Sequence, residues 1–141
     1  MYDGVLVPTD GSDGARYAAE HAVAIANCFD APVHALSVVV EGPYGAAKRD
    51  QLRADEKEEA QAAVAEVEAL ANKAGLEATT TVQSGVPHEA ILEYAETEPV
   101  DLIVMGTAGR SGLESVLVGS VAERVVRNSQ VPVVTVRPET N

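Results

Sequence analysis

The chain has 141 residues, enough for one domain (1–141) that buries roughly two-thirds of its unfolded surface. Ten Lys and Arg against 22 Asp and Glu leave a net charge of −12, which disfavours nucleic acid and anionic membrane surfaces as partners. No run approaches the ~20 apolar residues of a membrane span, the opening Met-Tyr-Asp-Gly-Val-Leu-Val-Pro lacks the basic region of a signal peptide, and the single Cys28 rules out an internal disulfide.

The first apolar run predicts a strand over residues 4–8, ended by Pro8. Thr9-Asp10-Gly11-Ser12 follows as a cluster of turn and N-cap residues. From about residue 12 to 29, Ala15, Ala18, Ala19, Ala22, Val23 and Ala26 recur at helical spacing, and their small size predicts close packing on a sheet. Cys28 falls at the end of that face and is expected to be packed. A second strand is predicted over residues 33–40, with His34 as a strand residue rather than a ligand.

Glu41-Gly-Pro-Tyr-Gly45 reads as a mobile loop. A long charged helix is predicted over residues 49–74, with Ala60, Ala63, Val64, Val67, Leu70, Ala71 and Ala74 inward and its glutamates solvated. Gly75 is its natural stop. Alternation over residues 76–82 predicts a half-exposed third strand. Pro87 opens a short helix with Ile91, Leu92 and Ala95 inside, and residues 100–105 form a fourth strand. After a glycine-rich loop, a last helix is predicted from residue 120 to about 129, burying Val121, Ala122, Val125 and Val126. Glu123 and Arg127 are spaced there for an i,i+4 pair. Residues 131–136 are the last strand, and the chain closes on a tail.

Strand and helix alternate throughout, which predicts an α/β fold with a parallel sheet covered on both faces. An open sheet of five strands has two edges. The third strand suits one of them. If the fifth is the other, Val133 to Val136 form an exposed apolar edge of the kind proteins cover, and a homodimer through that strand is expected.

The most informative stretch runs from Gly106 to Ser120. A strand that breaks into glycines and then feeds a helix N-terminus is a common way to hold phosphate. Bare backbone approaches the anion closely, and the helix dipole favours negative charge. Ser120-Val-Ala-Glu123 reads as a capping box at that helix start. The loop lacks the Gly-Lys-Ser/Thr of a P-loop, and no Gly-x-Gly-x-x-Gly follows the first strand. It reads instead as Gly-x2-Gly-x9-Gly-Ser, through Gly106, Gly109, Gly119 and Ser120.

With that motif, Val7-Pro-Thr-Asp10, Gly109-Arg-Ser-Gly112, Gly119-Ser-Val-Ala-Glu-Arg-Val-Val126 and Val131-Pro-Val-Val-Thr-Val136, the chain resembles the ATP-binding branch of the universal stress protein family over essentially its whole length. The resemblance implies a Rossmann-like five-stranded parallel sheet in the order 3-2-1-4-5, of the adenine nucleotide alpha hydrolase-like kind. Strands one and four then lie together at the switch point where such sheets bind ligands. It further implies an adenine nucleotide, ATP above all. Pro8, Thr9, Asp10 and Val38 would stand around the base and Met105, Gly106 and Thr107 around the ribose. Gly109, Arg110, Gly119, Ser120 and Val121 would hold the phosphates. Mg²⁺ would help a −12 protein accept a polyanion.

Ala108 and Ala122 stand where other members carry histidine and threonine, so each removes a side-chain contact. That keeps open a branch that binds no nucleotide and acts through its dimer surface. Asp10 also reads as a turn or capping residue. His21, His34 and His88 lack metal-ligand spacing, and no nucleophile–base pair stands out, so a regulatory protein is expected over an enzyme, with at most slow ATP hydrolysis. A pyrophosphatase-type enzyme would need a Ser-Gly-Gly-x-Asp-Ser loop where this chain has Pro-Thr-Asp-Gly-Ser. A phosphorelay receiver would need an aspartate after strand three, where Val82-Gln-Ser84 stands. The expected location is cytoplasmic, and the acidic balance predicts a halophilic surface adapted to high salt.

Overall fold

The computed structural model describes residues 2–40, 46–107 and 119–138, with side chains described from residue 54 onward in the helix that begins at Ala46. The expected loop 41–45, Ala108 to Val118 with Gly109, Arg110, Ser111 and Gly112, and the end of the tail lie outside the described residues. Among those described, no helix is long and apolar enough to cross a membrane.

Among the described residues nine elements alternate along the chain: β1 (Val5–Pro8), α1 (Asp13–Phe29), β2 (Val33–Val39), α2 (Ala46–Lys73), β3 (Ala78–Ser84), α3 (Pro87–Thr97), β4 (Leu102–Gly106), α4 (Ser120–Asn128) and β5 (Val133–Val136). The strands form one sheet in the order β3-β2-β1-β4-β5, and every neighbouring pair is parallel. The expected order is therefore the observed one.

Both faces of the sheet are covered, which is why its central strands read as continuous apolar runs. Val5 and Val7 point into a core with Ala18, Ala22, Ala35 and Val67, under α1 and α2. Leu6, between them, points the other way into a core with Leu36, Ile91, Ile103 and Val125, under α3 and α4. Ala18, Ala19, Ala22 and Ala26 are all fully buried, so α1 rides close on β4 and β1 because its inner face carries only methyl groups.

Three strands start about two residues later than their hydrophobic pattern suggests, and hydrogen bonds outside the sheet ladder gather before each of them. Gly75, at φ +79°, ends α2 in a Schellman motif: its N–H bonds the Asn72 carbonyl, and the Leu76 N–H bonds Ala71. β3 cannot begin until that cap is complete. Before β4, the Asp101 carboxylate accepts the N–H groups of Asp3 and Gly4 at 3.0–3.2 Å, tying the start of β1 to its neighbour. Before β5, the Ser129 hydroxyl holds both the N–H and the carbonyl of Val131.

Several side chains depart from expectation. Cys28 is exposed rather than packed, because α1 turns its methyl face toward the sheet and position 28 falls on the solvent side. Val126 is 50% exposed, beside the edge strand β5. Thr79 and Thr80 are both exposed, since β3 is an edge with little covering it. On α3 the deeply buried positions are Ala90, Ile91 and Tyr94, while Leu92 and Ala95 are only half-buried.

Candidate functional site

In a parallel sheet with crossover helices, all strand C-termini and the helix N-termini that follow them meet on one edge. Here the edge opens into a cleft of about 500 Å³ over the C-terminal ends of β1, β2 and β4.

The β1 wall is a short, self-bonded turn. Thr9 extends the strand by donating its N–H to the Leu36 carbonyl at 2.9 Å. Its Oγ1 accepts the Gly11 N–H at 3.1 Å, and the Asp10 carboxylate accepts the Ser12 N–H at 2.9 Å. Gly11 has φ +80°, a conformation side chains resist. Ser12 then caps α1 by accepting from the Ala15 N–H. The turn role read for Asp10 is therefore real, and the same residue also lines the cleft.

The β4 wall ends at Met105, Gly106 and Thr107. Gly106 allows a close approach: a Cβ there would lie 3.1 Å from the Gly14 carbonyl oxygen in the first turn of α1. Thr107 continues the ladder by donating its N–H to Val136. The third wall is the start of α4. Gly119 is its N-cap and carries no side-chain cap, so Ser120 is the first helical residue and not the cap. The expected capping box does not form. The Glu123 N–H bonds the Gly119 carbonyl, and its carboxylate pairs with Arg127 at 2.8 Å. Ser120 is exposed and lines the cleft at this helix N-terminus.

Pro8, Thr9, Asp10, Val38, Met105, Gly106, Thr107, Gly119, Ser120 and Val121 all line this one cleft. Gly109 and Arg110 lie outside the described residues. Ala122 also lines it and is 2% exposed.

Sequence reasoning missed Ser37, Glu56 and Glu59, which line the cleft from β2 and α2. Ser37 is the one hydroxyl in β2, whose other residues apart from His34 are apolar, and that was its available signal. Glu56 and Glu59 were grouped with the solvated charges of α2. Their spacing to Ala60 and Ala63, both buried, puts them at the border of the inner face. The cleft is therefore electrically uneven: acidic toward α2, and edged by a helix N-terminus at α4.

Just below its floor, His34 and Tyr94 share a hydrogen bond of 2.8 Å between Nδ1 and the phenol oxygen. Both are buried, on the same sides of β2 and α3 as the cleft-lining Leu36 and Ile91. Burial pushes His34 below its ordinary pKa, with the Glu98 charge acting in the opposite sense. Burial raises the Tyr94 phenol, against a hydrogen bond from Thr81 that lowers it.

With this geometry in view, the similarities to other proteins are informative. The family model described as Universal stress protein family matches residues 1–137. Universal stress protein MJ0531 of Methanocaldococcus jannaschii is 43% identical, over 97% of this chain and 83% of its own length. Universal stress protein UspA from Lactobacillus plantarum superposes with a TM-score of 0.89 at 31% identity, covering 97% of this chain and 99% of that one. A universal stress protein in complex with cAMP superposes with a TM-score of 0.77 at 28% identity, over 98% of this chain and 99% of its own. The family-model match, the sequence identity and the shared fold agree, and the chain belongs to the universal stress protein family.

Proposed function

We propose that the cleft binds an adenine nucleotide, ATP in the first place, and that the chain is a single-domain, cytoplasmic stress-response regulator working as a homodimer. One observation carries this reading. Ten residues from four separate elements and their flanking turns, chosen for nucleotide contact, line one cleft at the switch point of the sheet. A related universal stress protein in complex with cAMP supports an adenine nucleotide as the ligand class.

The residues present fit such a group. The exposed Ser120 and the first N–H groups of α4 suit phosphate oxygens. Pro8, Val38 and Met105 offer apolar surface to a base. Among the described residues no group of three His, Cys, Asp or Glu could hold a metal, so Mg²⁺ would arrive with the phosphates rather than sit in a protein cage. The homodimer reading is supported by β5, an edge strand whose Val133 and Val134 stay half-buried beside the exposed Val126.

The test is mass spectrometry of nucleotide retained by the purified protein, followed by ATP titration of wild type and Ser120→Asp. Aspartate at the first position favours the helix yet places a negative charge where phosphate would sit. We expect a Kd in the micromolar range or below for wild type, and loss of binding with unchanged melting in the variant. Absent binding in wild type would turn the reading toward the branch that acts through its dimer surface.

A further inference from the structure

The sheet has a second edge, at β3, and among the described residues no strand pairs with its outer side. β3 runs for seven residues in unbroken register with β2, without a bulge, a proline or a charge. The devices that usually guard an exposed edge are missing from it. Val33 donates its N–H to the Glu77 carbonyl and Gly85 donates to Val39, so alternate residues between Glu77 and Gly85 turn their backbone to β2. Ala78, Thr80, Val82 and Ser84 therefore aim their N–H and carbonyl groups away from the sheet.

Beside this edge a groove of about 320 Å³ separates β3 from α2, with Thr80 and Val82 on one side and Gln61 and Ala65 on the other. Its two ends are opposite in charge. α2 leads back from the end of β2 to the start of β3, so Glu68 stands near the start of β3 and Lys57 near its end. About three helical turns, or roughly 16 Å, keep these two side chains from pairing with each other.

We infer that the β3 edge is a self-association surface whose occupant is the β3 edge of a second copy of this chain. Two-fold pairing of β3 with itself is antiparallel and sets the start of one strand beside the end of the other. Glu68 then faces Lys57 of the partner subunit, and the reverse pair forms at the other end. Ala65 between them is small enough to let the two α2 helices approach. With Thr80 opposite Val82 of the partner subunit, Ala78 falls opposite Ser84, and the outward-facing residues exchange about eight backbone hydrogen bonds. A strand of uniform charge would satisfy one end of the groove and be repelled at the other, whereas an antiparallel copy satisfies both.

The contact is weak. One strand edge and one helix flank bury less than a standard interface, and each copy brings a charge of −12. It forms in concentrated protein, where it joins the dimers proposed at β5. Because β3 and β5 are the opposite edges of one sheet, the two contacts extend in a row instead of closing.

The experiment is sedimentation equilibrium from about 5 μM to about 0.5 mM in about 0.3 M KCl, where a screening length of roughly 5–6 Å spares an ion pair and damps the wider repulsion. Thr135→Pro, which removes pairing at β5, isolates the β3 contact. It is expected to be monomeric when dilute and to dimerise with a Kd on the order of 100 μM. In that background Lys57→Glu and Glu68→Lys each set like charges together at both ends of the contact, and each should weaken it about tenfold. An equimolar mixture of those two proteins should recover dimers to within about threefold of Thr135→Pro alone, since every carboxylate again meets an ammonium. Thr80→Pro, whose lost N–H points outward, should abolish the dimer with an unchanged melting curve. A Thr135→Pro protein still monomeric at the top of the range, or a mixture no stronger than its components, overturns the inference and leaves the β5 reading intact. Dimers that survive Thr80→Pro overturn it as well.

Discussion

The backbone N–H of Gly119 donates to the Thr107 carbonyl at 2.6 Å, so the first residue before α4 is pinned to the residue that ends the β4 ladder. A Cβ on Gly119 would lie 2.5 Å from that same oxygen. Glycine is required here by contact rather than by dihedral angle, since φ is −59°. Gly119→Ala should cost about 1–3 kcal/mol of stability through this clash, and Gly119→Val at least as much. Urea unfolding measures it. Unlike Ser120→Asp, these variants should lose stability and ATP affinity together, and a Gly119→Ala protein of wild-type stability would contradict the contact.

The His34–Tyr94 pair gives the fold an acid-sensitive point. Its folded pKa is depressed by burial, below the unfolded value near 6.5. Between those two values the unfolded chain binds more protons than the folded one. The contribution is complete above about pH 6.5 and fades as pH falls toward the folded pKa. Wild type should therefore lose stability between pH 7 and about pH 5 more steeply than His34→Leu, by urea midpoints at each pH. Tyr94→Phe leaves the imidazole Nδ1 without its partner and should cost about 1–3 kcal/mol near neutrality.

Salt acts on two opposing sets of charges. It weakens the surface pairs Arg16–Glu66 at 2.7 Å and Arg127–Glu123 at 2.8 Å, which are exposed and individually small. It also screens the mutual repulsion of a chain at −12. The second effect involves many more charges and should win. Thermal midpoints are expected to rise as KCl goes from about 0.1 M to about 1 M, over which the screening length falls roughly threefold. Full stability in dilute buffer with no salt response would reject adaptation to high salt.

At β5 the carbonyls of Pro132 and Val136 accept from β4, so alternation turns the N–H groups of Val133 and Thr135 outward. Proline is tolerated where the lost N–H faces away from the sheet. Thr135→Pro should leave melting nearly unchanged but shift a wild-type dimer to monomer in light scattering. A monomeric wild type at working salt would end the homodimer reading.

How much of this was legible in the chain follows from which interactions are local. The alternation of apolar runs with methyl-faced helices made the parallel sheet readable, and glycine spacing pointed to both walls of the cleft. Strand starts were less readable, because Asp101 and Ser129 spend their side chains on backbone partners that no periodicity reveals. The capping box failed for a related reason: Gly119, held by Thr107, takes the cap position one residue before Ser120. Glu56 and Glu59 were hidden inside a charge run that is otherwise solvated. Only the packing of α2 on β2 and β3 distinguishes them from their neighbours.

The cleft's halves come from opposite ends of the chain, Pro8 to Asp10 and Gly119 to Val121, and meet only because β1 lies beside β4. During synthesis, β1 with α1 and β2 with α2 emerge and can collapse long before β4 is available. A ligand has nothing complete to grip until the fourth strand inserts next to the first. From then on, whatever occupies the cleft bridges early and late segments and favours the finished chain by mass action. Occupancy thus reports that the sheet has closed, and a nucleotide held there would act as a clasp on the last step of assembly.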